Sequence, residues 1–113
     1  MNHTMRLNEK PYESMKTGRK FYEVRLNDEK RRLVEVGDTI DFLKLPEEKE
    51  KLKVEVIGVL PFDTFKDLYE SLPAYSLDCE GMEVGEMVEN TYKIYTPEQE
   101  GRWGVLAIEV KLV

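Results

Sequence analysis

Apolar and polar side chains alternate along several short stretches of this chain, which is typical of β-strands whose two faces differ. In residues 20–26, KFYEVRL, the alternation places Glu23 and Arg25 on the face opposite the valine and the leucine. We predict further strands at residues 5–7, 39–45, 51–60 and 104–113. Within the stretch 51–60 the alternation slips at Ile57 and Gly58, which predicts a β-bulge or a sharp bend.

Helices are predicted where apolar residues recur every three or four positions. A short helix precedes the second strand and ends near Gly18, and Asp63 or Thr64 is placed to cap another helix. A further helix is predicted with its apolar face at Val84, Val88, Tyr92 and Tyr95. Thr96-Pro97-Glu98-Gln99 resembles a capping box with proline at the first helical position, which predicts a short turn there. Strands follow one another without regular βαβ alternation, so we predict an α+β fold. It would contain about five mixed or antiparallel strands and two or three short helices.

Length and composition restrict the class of protein. The chain has 113 residues, the size of one domain, and we assign residues 1–113 to a single domain. Cys79 is the only cysteine and His3 the only histidine, so neither an internal disulfide nor a zinc cluster is expected. No apolar run is long enough for a membrane span. No GxxxxGK or GxGxxG loop occurs, so the sequence gives no support for binding a nucleoside triphosphate or a dinucleotide. We expect a cytoplasmic protein without metal or cofactor.

Charge is distributed unevenly along the chain. The formal net charge is −6, but residues 16–32 contain seven basic and three acidic side chains, a local net charge of +4. The remaining residues therefore carry −10. An acidic surface repels phosphate backbones, so any contact with nucleic acid is expected to be short and local. The alternative is a basic solvated face without a ligand.

The segment GRKFYEVR, residues 18–25, is the strongest candidate for a functional site. Lys20 is expected where the strand begins, and Glu23 and Arg25 are expected on the same face of the strand. A carboxylate between two cations stays ionised and can receive a base edge or position a water molecule. Arg25 can also bind a phosphate or carboxylate through two hydrogen bonds. The alternative is an ion pair on the surface of one strand.

The spacing Gly18-x-Lys20-x-x-Glu23-x-Arg25 resembles the GxKxxExR signature of the ASCH domain superfamily. The resemblance continues in VGDTIDF after the motif and in YTPEQEGRWGVLAIEV near the end of the chain. It implies a small PUA-like β-barrel over residues 1–113. It also implies a cleft lined by the motif, proposed for this superfamily to bind RNA or a nucleotide-like ligand.

One branch of the superfamily resembles a small amidohydrolase that deacylates N4-acetylcytidine and related nucleosides. The resemblance implies a catalytic set of a lysine, a threonine nucleophile three residues later and a glutamate. Lys20 matches the lysine and Glu80 falls where the glutamate is expected, but Glu23 occupies the threonine position. A carboxylate cannot replace a hydroxyl nucleophile that must lose a proton. Lys20, Glu23 and Glu80 are therefore a catalytic hypothesis in which the two carboxylates act as general acid and base on water.

Three further residues are candidates for binding a nucleic acid. Trp103 can stack on a base and its neighbour Arg102 can bind a phosphate, although packing at the core rim is the alternative for Trp103. Arg19 lies inside the motif itself. Three functions remain open, in this order: binding of single-stranded RNA or of a modified nucleoside or nucleotide, hydrolysis of such a nucleoside, and docking of a protein partner.

Overall fold

The computed structural model describes residues 1–113 and contains a curled sheet of five strands. The strands are β1 (Asn2–Leu7), β2 (Tyr22–Leu26), β3 (Thr39–Lys44), β4 (Lys51–Phe62) and β5 (Val105–Leu112). Their order across the sheet is β1-β3-β4-β5-β2, with β1 parallel to β3 and the other neighbours antiparallel. The predicted α+β class with a mixed, barrel-like sheet of five strands is confirmed, and the sheet forms a half-barrel.

The helices are α1 (Glu9–Lys16), α2 (Phe65–Ser71), α3 (Val84–Thr91) and α4 (Pro97–Trp103), with 3₁₀ turns at Arg31–Leu33 and Ala74–Ser76. Four helices exceed the predicted two or three, because the turn expected after Thr96 continues as α4. The predicted capping box is present there, with Thr96 and Gln99 as reciprocal partners. Thr64 rather than Asp63 caps α2, since its hydroxyl accepts from the backbone N–H of Asp67 at 3.1 Å.

The apolar face of α3 differs from the predicted one. Met87 and Thr91 are its buried residues, whereas Tyr92 remains 38% exposed. The reason is that α3 ends at Thr91, so Tyr92 and Tyr95 lie beyond the helix and do not continue its periodicity. None of the four helices is long and apolar enough to cross a lipid bilayer.

The predicted irregularity in β4 is present as a shift of register between Val56 and Gly58. A side chain at Gly58 would meet Glu109, whose carboxylate oxygen lies 3.0 Å from the position of a Cβ atom. Glycine therefore allows β4 and β5 to approach closely where the sheet bends.

Strand β5 is buried on both faces and separates two apolar clusters. Leu106 and Ile108 belong to a cluster of twelve buried residues, and Val105 and Ala107 pack with Phe65 of α2 in a second one. Leu106 and Ile108 therefore face one cluster, and Val105 and Ala107 face the other. Leu26 of β2 belongs to the second cluster and Val24 packs against it, whereas the first cluster contains no residue of β2.

The two edge strands, β1 and β2, are connected by side chains. The Arg25 guanidinium of β2 donates from Nη2 to the carbonyl of Arg6 in β1 at 2.7 Å. Lys30 donates from Nζ to the carbonyl of Thr4 at 3.0 Å. Unpaired backbone groups on an edge strand otherwise remain open to pairing with another chain. Arg25 and Lys30 therefore satisfy two carbonyls along the seam that the half-barrel leaves open.

Candidate functional site

Lys20 is placed by the turn that connects α1 to β2. Gly18 has a φ of +80°, a left-handed conformation that favours glycine, and it ends the helix. The backbone N–H of Lys20 then donates to the Ser14 carbonyl at 3.1 Å. Lys20 also forms an isolated antiparallel bridge with Leu77, so its backbone is held from two sides.

Glu23 accepts from both motif cations. The Lys20 ammonium lies 3.2 Å from Oε1 and the Arg25 Nε lies 2.6 Å from Oε2. The Glu23 side chain is 5% exposed, and those of Lys20 and Arg25 are 16% and 12% exposed. This arrangement is a buried ion triad, so the alternative of a surface ion pair on one strand is wrong.

The electrostatics of the triad favour an ionised Glu23. Burial acts to raise the pKa of its carboxyl, but the adjacent charges of Lys20 and Arg25 outweigh burial and hold the pKa below its ordinary value. Arg25 has two partners, Glu23 and the Arg6 carbonyl, and it does not line the cavities that contain Lys20. Arg25 therefore stabilises the ionised Glu23 and links β2 to β1 across the open seam.

Lys20 alone of the three charged motif residues lines a cleft. Two cavities, of about 260 and 150 Å³, share six lining residues and are named here the Lys20 cleft. The shared residues are Lys20, Tyr69, Leu77, Cys79, Thr91 and Ile94. The larger cavity extends to Asn90 and to the thioethers of Met82 and Met87. Lys10 and Asp78 also line the larger cavity, so its mainly apolar wall carries two ammonium groups and one carboxylate. A concave, mostly apolar wall with a few polar groups is the arrangement of a small-molecule site.

Two polar residues of this cleft, Tyr69 and Thr91, were not predicted as functional. They come from α2 and α3, and their side-chain oxygens lie 2.6 Å apart. A signal was present in the sequence, because Thr91 follows Met87 by four positions and so shares its helical face. Cys79 is in the cleft as well, where burial raises the pKa of its thiol.

Glu80 and Arg19 lie outside the arrangement that the sequence suggested. Glu80 is exposed, has no hydrogen-bond or ion-pair partner, and does not line the cleft, although its neighbour Cys79 does. Arg19 is mostly exposed, 3.7 Å from the carboxylate of Asp78. Of the three hypothetical catalytic residues, the structure brings Lys20 and Glu23 together and leaves Glu80 apart.

Arg102 and Trp103 lie at the opposite end of β2. The backbone N–H of Asn27, just after β2, donates to the Gly104 carbonyl at 3.0 Å. The extended segment from Lys20 to Asn27, which includes β2, spans roughly 23 Å at about 3.3 Å per residue. The guanidinium carbons of Arg102 and Arg32 lie 4.9 and 5.6 Å from the Trp103 ring centre. These residues therefore form a second charged surface, separate from the Lys20 cleft.

The comparisons with known proteins agree with this architecture. The family model of the ASCH domain matches residues 5–113. The chain belongs to the ASCH domain family.

Two solved structures extend that likeness over the whole chain. The hypothetical protein PH0355 is 35% identical, with a TM-score of 0.90 and full coverage of both chains. The protein PF0455 from Pyrococcus furiosus is 31% identical, with a TM-score of 0.78, covering all of this chain and 98% of its own. No curated protein matches the sequence. No group of three or more His, Cys, Asp or Glu side chains is arranged to hold a metal ion.

Proposed function

We propose that this protein binds an unpaired nucleobase in the Lys20 cleft, either as a free nucleoside or nucleotide or as one base of a single-stranded RNA. The observation that carries the proposal is the cleft itself, in which the Lys20 ammonium is held by Glu23 and lies beside both apolar and polar side chains. Its larger cavity, about 260 Å³, is near the lower limit of about 300 Å³ for small-molecule pockets. This volume suits one ring system and is too small for a duplex.

Electrostatics favour a compact ligand over a long strand. Much of the basic stretch 16–32 is already engaged within the protein: Arg25 with Glu23, and Arg31 with Asp28 at 3.1 Å. Each phosphate contact needs a free cation that displaces a counterion from the nucleic acid. Beside the cleft, Lys10 has no ion-pair partner and Arg19 lies 3.7 Å from Asp78, so we expect few phosphate contacts and an affinity that depends weakly on salt.

Hydrolysis of an acylated nucleoside has less geometric support. The mechanism with Lys20, Glu23 and Glu80 requires both carboxylates to reach one bound ligand. Glu23 is enclosed by its two cations, and Glu80 is exposed outside the cleft. Binding is therefore the function that the arrangement of these residues supports best.

The test is calorimetric titration with nucleosides, nucleotides and single-stranded RNA hexamers, at low and moderate salt. We expect saturable binding to the wild type and a loss of about tenfold or more for Lys20→Met, since hydrogen bonds to charged groups contribute roughly 1.5–3 kcal/mol. Acylated cytidines are included, with chromatography for deacylated product, so that turnover is detected.

The matched control is Lys16→Met. Lys16 is exposed on α1 and does not line the cleft. Its substitution removes the same positive charge as Lys20→Met. Equal losses in Lys16→Met and Lys20→Met would show that net charge rather than the cleft determines binding. A complete absence of binding by all probes would contradict the proposal.

A further inference from the structure

The direction of one hydrogen bond in the Lys20 cleft is determined by counting protons. The Thr91 hydroxyl donates to the Met87 carbonyl one helical turn earlier, at 2.9 Å. The hydroxyl oxygen of Tyr69 lies 2.6 Å from the same Thr91 oxygen. A hydroxyl has one proton and two lone pairs. Because Thr91 already donates its proton to Met87, the Tyr69 hydroxyl is the donor of the shorter bond.

The Tyr69 oxygen is therefore left with lone pairs and no proton to offer a ligand. Burial is the main reason that the pKa of Tyr69 rises to about 12, so this hydroxyl remains neutral at physiological pH. Tyr69 and Thr91 line both cavities of the cleft. Their wall presents a hydrogen-bond acceptor.

Lys20 has the opposite character. An ammonium has three protons and no acceptor, and one proton of Lys20 is directed to Glu23 at 3.2 Å. The remaining protons are available to the cleft that Lys20 shares with Tyr69. Among the residues common to both cavities, Lys20 thus supplies a donor and Tyr69 of α2 an acceptor, whereas the Asp78 carboxylate lines the larger cavity alone.

We propose that Tyr69, oriented by Thr91, is a specificity-determining residue that accepts a hydrogen bond from an N–H group of the bound heterocycle. The ring nitrogen or carbonyl beside that N–H group would accept from Lys20. The ligand class is an aminated nucleobase, in which an exocyclic amino group adjoins a ring acceptor. This inference rests on the proposed function of the cleft.

The experiment compares matched pairs of nucleosides in which two methyl groups replace the amino protons: cytidine with N4,N4-dimethylcytidine, and adenosine with N6,N6-dimethyladenosine. We expect at least one amino form to bind the wild type about tenfold more tightly, since an acceptor that the ligand covers without donating to it carries a penalty of this order. Tyr69→Phe should reduce that ratio to near one. Any steric effect of the methyl groups would persist in Tyr69→Phe.

Thr91→Val is the second variant, and Thr91→Ser is its control. Valine removes the acceptor of the Tyr69 proton, so the tyrosine hydroxyl can turn and donate, and the preference for the amino form should fall. Serine retains the hydroxyl and should retain the preference.

Three outcomes would overturn the inference, and they separate it from the proposed function. Equal binding of both members of each pair, or a preference unchanged in Tyr69→Phe, would refute the role of Tyr69 while nucleobase binding stands. Failure of every nucleoside, nucleotide and RNA probe to bind would refute both.

Discussion

Lys20 and Arg25 contact the same carboxylate, yet they belong to different regions of the molecule. Lys20 lies just before β2, where its ammonium faces the cleft as well as Glu23. Arg25 lies near the end of β2, where it joins Glu23 to the Arg6 carbonyl across the open seam. Of the three charged residues of the GxKxxExR motif, Lys20 therefore lines the cleft, whereas Glu23 and Arg25 stabilise its position.

This difference indicates that the motif combines a structural role with the binding role proposed for Lys20. Removing a partner from a buried ion pair leaves the other charge poorly compensated, which is strongly destabilising. Removing Lys20, which faces the cleft, should mainly reduce the affinity for the ligand. Substitutions at the two cations should separate these effects.

The largest effect is expected for Arg25→Ala. This change removes the nearer cation from Glu23 and leaves the Arg6 carbonyl without its donor, so unfolding free energy should fall by about 3 kcal/mol. Denaturation with urea measures the change. A loss below about 0.5 kcal/mol, the range of ordinary surface substitutions, would contradict the structural role of Arg25.

A smaller loss of stability is expected for Lys20→Met than for Arg25→Ala. Lys20 is the more distant cation, at 3.2 Å against 2.6 Å from the carboxylate, and Arg25 continues to compensate Glu23. The methylene part of the lysine is replaced by a side chain of similar length. If Lys20→Met unfolds as readily as Arg25→Ala, measured under the same conditions, the proposed division of roles is wrong.

Stability should depend on pH through Glu23. Its folded-state pKa is lowered, so its ionised form contributes stability above the unfolded pKa of about 4.3. That contribution is lost as pH falls through the folded pKa. The difference in unfolding free energy between wild type and Glu23→Gln should therefore narrow from pH 7 to pH 3. A constant difference would show that the charge of Glu23 does not contribute.

The smallest effect is expected for Arg102→Ala. Arg102 lies beside Trp103 at the far end of β2 and makes no ion pair, so nucleoside affinity should change by less than about twofold. Titration of the variant with the wild-type ligand measures this. A loss comparable with that of Lys20→Met would assign the Trp103 surface to the binding site.

Much of the fold could be predicted because its signals are local. The alternation of residues 20–26, the slip at Gly58 and the capping box at Thr96 each depend on neighbouring residues. The buried face of α3 could not be predicted in the same way. It depends on where the helix ends, and Tyr92 continues the apolar pattern one residue beyond Thr91.

The site could be predicted in part. Lys20, Glu23 and Arg25 were expected together, because residues 23 and 25 share one face of a strand. The sequence does not show which cation faces the cleft, since that depends on the β1–β2 seam. The roles of Tyr69 and Thr91 depend on the packing of α2 against α3. The two residues lie 22 positions apart along the chain, and this packing brings them together.

The most direct test of the account is a map of backbone amide shifts on titration of isotopically labelled protein with cytidine and adenosine. The account predicts that the largest changes occur around the Lys20 cleft, at Lys20, Leu77, Cys79 and Thr91. The amides from Gly101 to Gly104 should change little. Shifts concentrated at Gly101–Gly104, or no shifts at all, would contradict the claim that the Lys20 cleft binds a nucleobase.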